Sequence, residues 1–326
     1  MKRIILNFLK KILKGNLWVI DIVMSPFVWE AAMIMKMVRR CGVGKLPISK
    51  KVLLSVGVFP IRDHYYEPLF NPRHLKKPLS DERQLPGMDW NINEQLDLLK
   101  SFDFQEEFDN IPENFVNETT FYFKNGAYES GDAEYWYNII RLKKPKKIIE
   151  IGSGHSTKIA RLAIHSNQRS DVRYHCRHIC IEPYEMPWLE KIGVEVLRKK
   201  VEDISIDFFT QLEANDILFI DSSHMIRPQG DVLFEYLELL PTLKRGVIVH
   251  IHDIFSPRDY PSTWIETKAL LWNEQYLLEA FLTFNAEWKI LGAVNFLSHN
   301  YFNLLKEKCP KLTPEREPGS FYIVRT

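Results

Sequence analysis

Two groups of residues in this chain are spaced for chemistry. The first is Lys147-Ile148-Ile149-Glu150-Ile151-Gly152-Ser153-Gly154-His155-Ser156-Thr157. It reads as a buried strand ending in an acid, a glycine turn, and a helix that begins near Ser156. Glycine lets the backbone turn sharply and lets a ligand approach the peptide plane, and a helix start offers unpaired N–H groups to a polar ligand. Glu150 at the strand tip could accept a bond from a cationic or hydroxyl-bearing ligand, with Gly152, Ser153 and Gly154 around it. Together these describe a site for a nucleoside-type cofactor on the first strand of a doubly wound sheet.

The second group ends two apolar runs, Ile217–Ile220 and Gly246–Val249. After the first run come Asp221-Ser222-Ser223-His224, and after the second His250-Ile251-His252-Asp253. If the two runs are neighbouring strands, Asp221, His252 and Asp253 converge on one divalent cation. Two carboxylates with water suit Mg2+ or Mn2+, and an imidazole shifts the choice toward manganese or iron. The reading without a metal, in which the acids only shape the cofactor pocket, stays open.

The spacing bears on which cofactor. A dinucleotide fold would place a third glycine where Thr157 stands, and an acid about 20 residues further on. Here the next strand, Arg177–Pro183, ends in Glu182, thirty positions past Gly152. These residues resemble class I S-adenosylmethionine-dependent methyltransferases over Phe121–Thr326. The resemblance implies that Glu182 holds the ribose hydroxyls. It also implies that one of Glu202 and Asp203, with Asp203 taken here, contacts the adenine amine, and that a last strand inserts antiparallel between the fifth and sixth. Gly131-Asp132 stands where the amino end of the cofactor could be held, with Asp132 as a plain helix cap the alternative.

Asp221, His224 and Asp253 are further similar to the metal-dependent sugar O-methyltransferases of antibiotic pathways and the cephalosporin-hydroxylase group. His252 stands where those proteins carry an acid. That resemblance implies His224 as general base beside Asp221. Transfer from a sulfonium is an in-line displacement needing an aimed nucleophile. A sugar hydroxyl is a poor one at neutral pH, and a positioned histidine taking its proton contributes typically about 10²–10⁴-fold.

These groups must be positioned by alternating elements. Strands are expected at Lys147–Gly152, His178–Pro183, Val194–Arg198, Ile217–Ser222, Gly246–His252, Trp288–Ala293 and Phe321–Arg325. Helices are expected at Ser156–Ser166, Glu185–Lys191, Ile204–Leu212, Pro228–Leu240, Trp264–Leu282 and Tyr301–Lys308. The fold class is α/β, a doubly wound, seven-stranded, mostly parallel Rossmann-like sheet with an N-terminal helical and irregular extension. The domain boundaries read as a basic, apolar helical arm over 1–45, a cap or substrate-side extension over 46–125, and the methyltransferase domain over 126–326. Phe121–Ala127 reads as a short strand or hairpin and Asp132–Leu142 as a helix. Tyr260, Trp264, Glu266, Trp272, Asn273, Gln275 and Tyr276 offer aromatic and amide groups to an acceptor, or simply core.

Composition sets outer limits. Lys and Arg total 43 against 42 Asp and Glu, so no global field favours nucleic acid. Four scattered cysteines are no disulfide framework and point to a reducing compartment. His175, Cys176, His178 and Cys180 invite a zinc reading, although cysteine is an ordinary small apolar residue in a buried strand. Residues 2–14 read as a basic amphipathic helix, and Leu17–Val38 is apolar apart from Asp21, Glu30 and Lys36. A peripheral contact of residues 2–38 with the inner face of the membrane, packing on the chain's own core, and a homo-oligomer are all open. The function expected is S-adenosylmethionine-dependent O-methylation of a sugar, glycan or other hydroxylated small molecule in the cytoplasm. The alternatives are an NAD-dependent Rossmann oxidoreductase and a non-catalytic module that tethers a biosynthetic complex.

Overall fold

The computed structural model describes residues 17–326; the basic segment 2–14 lies outside them. The chain divides into two compact units, with the boundary between Leu75 and Lys76. The first unit holds α1 (Leu17–Cys41) and α2 (Pro47–Val56). Proline at the first position of α2 suits a helix start, and Gly57 closes it with a left-handed φ of 79°. Glu67 accepts from Arg39 Nε at 2.8 Å and lies 3.4 Å from Arg62 Nε, which ties the loop after α2 back to α1.

In the second unit α3 (Ile92–Lys100) precedes α4 (Asp132–Lys143). Then come β1 (Lys147–Ile151), α5 (His155–Ser170), β2 (Arg177–Ile181), β3 (Glu195–Leu197) and β4 (Ile217–Ile220). The helical turn α6 (Asp231–Leu233) leads to β5 (Ile248–Ile251), α7 (Glu274–Leu282), β6 (Trp288–Ala293), α8 (Val294–Asn300), α9 (Phe302–Lys308) and β7 (Phe321–Arg325). The sheet order is β3-β2-β1-β4-β5-β7-β6, with β7 antiparallel to both of its neighbours. The expected seven-stranded sheet and the inserted last strand are therefore present.

The strands read as apolar runs because both faces of the sheet are covered. Alternate residues feed two cores: Ile149, Ile151, Leu218 and Val249 on one side, Ile148, Ile217, Phe219 and Tyr322 on the other. Phe102, Phe108, Phe121 and Phe123 join the second core, so the segment after Lys76 is built into the sheet domain. Glu107 grips Arg141 of α4 at 2.7 Å and 2.9 Å, anchoring that segment further.

Several helices are shorter than their sequence suggests. Residues 185–191 and 204–212 give only the 3₁₀ turns Leu189–Ile192 and Ile206–Gln211. Residues 228–240 form α6 and then the π turn Phe234–Leu239. The expected helix Trp264–Leu282 is broken. A π turn over Thr263–Thr267 ends near Ala269, whose φ is 51°, and α7 starts only at Glu274. The cause is tertiary: the N–H groups of Asn273 and Glu274 donate to the carbonyl of His224, at 3.0 and 3.2 Å, instead of continuing a helix. No strand forms over 121–127, where the Asn125 side chain bonds the carbonyls of Tyr122 and Tyr128 and the N–H groups of Ala127 and Tyr128, and bends the chain. Helix α8 had no distinct signal, since Val294–Asn300 follows β6 without a turn residue.

The site-forming switch lies between β1 and β4, where strand order reverses. Gly152 turns there at φ 81°, and a Cβ on it would sit 2.1 Å from the carbonyl oxygen of Asp221. Gly154, two residues on, has open space around the same position. Gly152→Ala is expected to lower stability by about 2 kcal/mol or more, with Gly154→Ala well below that. Urea midpoints of the two variants against wild type check this; equal midpoints would mean that the contact carries no constraint.

Candidate functional site

The loop after β1 is shaped from beneath. Glu150 is fully buried, and its Oε2 accepts from Thr157 Oγ1 at 2.5 Å. Thr157 Oγ1 in turn accepts from the Gly154 N–H at 3.1 Å. His178 Nε2 lies 3.1 Å from the other Glu150 oxygen, and Cys180 Sγ 3.9 Å from Oε2. Glu150 thus supports the glycine turn and does not face a ligand, contrary to the sequence expectation; the strand's alternation points its side chain into the second core. Of the residues read for zinc, His178 and Cys180 meet Glu150 within 4.8 Å, while His175 and Cys176 are not in that group. All four cysteines are unpaired.

Above the turn lies a cleft of about 290 Å³, lined by Gly152, Glu182, Tyr184, Glu202, Asp221 and Ser222 among others. Glu182 is fixed there: Oε2 accepts from the Ser153 N–H at 3.2 Å and Oε1 from the Tyr184 N–H at 2.9 Å. Each oxygen keeps a lone pair for a ligand hydroxyl. Between the two acids after β3, Glu202 lines the cleft and Asp203 is exposed outside it. The 3₁₀ turn Val201–Asp203 buries Val201 and leaves Glu202 toward the cleft. Of the two acids it is thus Glu202, not the expected Asp203, that faces the cleft.

The ends of β4 and β5 bring the second group together. His252 Nδ1 is 3.5 Å from Asp221 Oδ1 and 3.5 Å from Asp253 Oδ1. His224 Nε2 is 3.3 Å from Asp221 Oδ1 and 3.5 Å from Asp253 Oδ2. His224 and Asp253 both hold left-handed backbones, φ 58° and 60°, a conformation that costs energy in any residue but glycine and collects at functional sites. Asp231 secures the first of these loops by accepting from the Ser223 N–H and hydroxyl at 2.9 and 2.7 Å.

Behind each imidazole stands another carboxylate. Glu274 Oε2 is 2.7 Å from His224 Nδ1, and its other oxygen accepts from the Tyr236 hydroxyl at 2.9 Å. Trp272 covers the His224 ring at 4.2 Å between centroids. Asp132 accepts from the N–H groups of Gly319 and Ser320, and its second oxygen lies 3.9 Å from His252 Nε2. Asp132 is buried at the first position of α4 and backs His252 rather than the 290 Å³ cleft. Glu274 and Tyr236 had no spacing signal: fifty residues separate Glu274 from His224, and an acid in a first helical turn is commonplace.

The charge balance is lopsided. Burial alone would lower the pKa of His224, but Asp221 and Glu274 override it and hold that pKa well above 6.5. Burial likewise works against a proton on His252, and Asp253 and Asp221 raise its pKa all the same. Burial would raise Asp221, yet the two imidazoles keep it low, whereas burial prevails at Asp253 and raises it. Glu235, which accepts from Ser222 Oγ at 3.0 Å, is pushed well up by burial and by the nearby Glu274.

Asp221, His252 and Asp253 each present one ligand atom, all within 4.8 Å of one another. His252 Nδ1 is buried without a hydrogen-bond partner. An imidazole nitrogen left bare between two carboxylates, with an acid behind its far nitrogen, fits a divalent cation. His250, by contrast, faces the core: Ser320 Oγ lies 3.0 Å from its Nε2, Tyr322 stacks on it at 4.1 Å, and burial keeps its pKa low.

A larger cavity of about 750 Å³ opens on the other side, lined by Asp132, His252, Asp253, Tyr260, Trp264 and Lys268 among others. Glu266 also lines it, and Trp272 lines a smaller space that reaches Asp221. Asn273 and Gln275 are used within the protein, accepting from the N–H groups of Ile226 and Phe255. Tyr276 bonds Asp259 and lies outside both cavities.

Residues 149–254 match the family model described as a methyltransferase domain. This segment runs from within β1 to just past β5, and the sheet order with β7 inserted antiparallel is that of a class I methyltransferase-like α/β fold. An uncharacterized protein of Archaeoglobus fulgidus is 27% identical over 174 residues, 49% of this chain and 76% of that protein. An O-methyltransferase from Bacillus cereus, solved in complex with SAH, aligns over 72% of this chain and 91% of its own, at 13% identity and a TM-score of 0.36. An O-methyltransferase from Streptomyces achromogenes involved in tomaymycin synthesis, in complex with SAM, aligns over 70% and 89%, at 14% identity and a TM-score of 0.35.

Glu274 is the one acceptor given to both the His224 ring and the Tyr236 hydroxyl. Glu274→Ala is expected to cost about 1–3 kcal/mol, because both donors are left buried and unpaired, and to lower the His224 pKa, which Glu274 helps to raise. Glu274→Gln keeps a carbonyl acceptor and restores most of the lost stability. Urea unfolding and imidazole ¹⁵N chemical shifts followed against pH check this; an unchanged His224 titration in Glu274→Ala would refute the assignment.

Proposed function

We propose that this protein is an S-adenosylmethionine-dependent O-methyltransferase acting on a hydroxylated small molecule or glycan. The observation that carries the reading is the position of Asp221, which lines the 290 Å³ cleft and also belongs to the His224, His252 and Asp253 cluster. A donor in that cleft would face an acceptor brought in through the larger cavity.

The donor would supply an electrophilic methyl group on a sulfonium. Glu182 would accept from its ribose hydroxyls and Glu202 from its adenine amine. The Gly152–Gly154 turn would admit the donor close to the backbone, which a side chain at Gly152 would prevent. Asp132, given above to His252, would act on the donor only indirectly. Once neutral, with a cation's charge offsetting the carboxylates that raise its pKa, His224 would take the acceptor's proton at Nε2, while Glu274 holds its Nδ1 side and fixes the ring. Asp221, His252 and Asp253 would hold the cation. A divalent ion there would neutralise the carboxylates, lower the acceptor hydroxyl's pKa and fix its direction. Trp264 would stack against a sugar or other ring in the larger cavity, backed by the buried Tyr260. A nicotinamide cofactor is disfavoured by Thr157, whose hydroxyl is committed to Glu150 and Gly154 at the position of the missing third glycine. The free cysteines suit a reducing, cytoplasmic setting.

The test is methyl transfer from labelled donor to nucleotide sugars, glycans and small polyols. His224→Ala and Asp221→Ala are each expected to lower turnover by about a hundredfold or more while donor affinity by calorimetry stays within about threefold. A chain that binds NAD and not the methyl donor in equilibrium dialysis, or variants that keep full turnover, would refute the proposal.

Removal of divalent ions bears on the cation separately. Mn2+ binding followed by electron paramagnetic resonance is expected to weaken about tenfold or more in Asp253→Asn. Wild type with no measurable Mn2+ affinity and full turnover in chelator would leave the acids as pocket-shaping groups only.

A further inference from the structure

Helix α1 is the strongest unexplained feature among the described residues. It runs for 25 residues, and none of them is buried. Its most apolar window has a mean hydropathy of 1.6. Trp18, Phe27 and Trp29 are each more than 60% exposed, at 68%, 63% and 66%. A helix that is apolar over most of its surface, with no residue buried among the described residues, has the composition of a membrane segment, not of a solvated surface helix.

Its charges are not scattered evenly. At about 100° per residue, Asp21, Lys36, Arg39 and Arg40 fall on one arc, with Glu30 opposite. Phe27 and Ile34 lie on the apolar side. From Lys36 to Lys51 the chain carries six basic residues and no acid. One of these, Arg39, is paired with Glu67. Lys45, Lys50 and Lys51 are exposed and make no salt bridge among the described residues. The last two stand on α2 beside exposed Ile48, Val52 and Val56. Apolar surface followed by unpaired positive charge is complementary to an acyl layer edged by anionic headgroups, each nearby basic residue contributing to the attraction.

We infer that α1 inserts into a lipid bilayer and that Lys45, Lys50 and Lys51 bind its anionic headgroups, holding this chain on an acidic membrane surface. The inference does not depend on the catalytic reading. Glu30 would be carried at the cost of partial hydration or a lifted helix, which favours shallow insertion over a full crossing.

The test is flotation of the full chain with vesicles of phosphatidylcholine alone or mixed with phosphatidylglycerol. The wild type is expected to float with the mixed vesicles. The triple variant Lys45→Glu, Lys50→Glu, Lys51→Glu should bind them about tenfold or more weakly at low salt. Phe27→Glu with Ile34→Glu should abolish flotation. All substituted side chains are exposed or on an unburied helix, so unfolding midpoints of the sheet domain should not move. A wild type that stays unbound with both vesicles, or that instead forms a dimer broken by Phe27→Glu with Ile34→Glu, overturns the inference. Equal binding to neutral and acidic vesicles, unaffected by charge reversal, overturns its headgroup half.

Discussion

The structure turns on one close approach. Where the sheet reverses its order, the backbone after β1 passes so near the end of β4 that no side chain fits at Gly152. The Asp221 N–H donates to Ile151 at 2.9 Å, and the Gly152 N–H to Ile181 at 3.0 Å, so three strands are clamped at one level. That clamp sets the mouth of the 290 Å³ cleft and also aims Asp221 toward the β5 tip. Had the strands been spaced more widely, the Glu182 shelf and the histidine cluster would be separate features.

The clamp gathers more negative charge than the fold can hold bare. Asp221, Asp253, Glu274 and Glu235 lie close together, with Asp132 behind His252 and only two imidazoles set among them. Burial strengthens every repulsion in such a place. The response is visible in the raised pKa values of His224, His252, Asp253 and Glu235. Without another cation the cluster draws protons to itself. A dication between Asp221 and Asp253 would replace those protons with fixed charge, and His252 Nδ1 is the bare nitrogen that such an ion would use.

What could be read in the sequence follows from this geometry. The strand tips were legible because parallel strands buried on both faces are continuous apolar runs, and the first polar residue after each run is the one at the mouth. Gly152, Glu182, Asp221, His252 and Asp253 were named from those strand ends and do line the two cavities, with His224 beside Asp221, whereas His250, the first polar residue of its run, faces the core. Glu150 misled because it lies within its strand and points into the core, where it carries Thr157. Asp203 and Glu202 are adjacent acids, and only the rotation along a single 3₁₀ turn decides which of them faces the cleft. Glu274 was hidden by an apparently continuous helical pattern from Trp264, which the His224 carbonyl interrupts. Only the last of these misses is a long-range contact overriding local preference; the other two turn on side-chain direction within one strand and one turn.

That interruption has a consequence for the site's two halves. A continuous helix from Trp264 to Leu282 would keep Glu274 on a fixed helical face relative to Trp264, about ten residues, or nearly three turns, away. The break lets Trp264 line the larger cavity while Glu274 turns inward to His224. The His224 carbonyl that causes the break belongs to a residue with a left-handed backbone, and its N–H donors are those of Asn273 and Glu274. The same contact therefore starts α7 and fixes the backbone of His224, while the Glu274 side chain at that helix start fixes its ring. Strain at φ 58° is held by bonds on either side of it, which is how an unfavourable conformation persists in a packed interior.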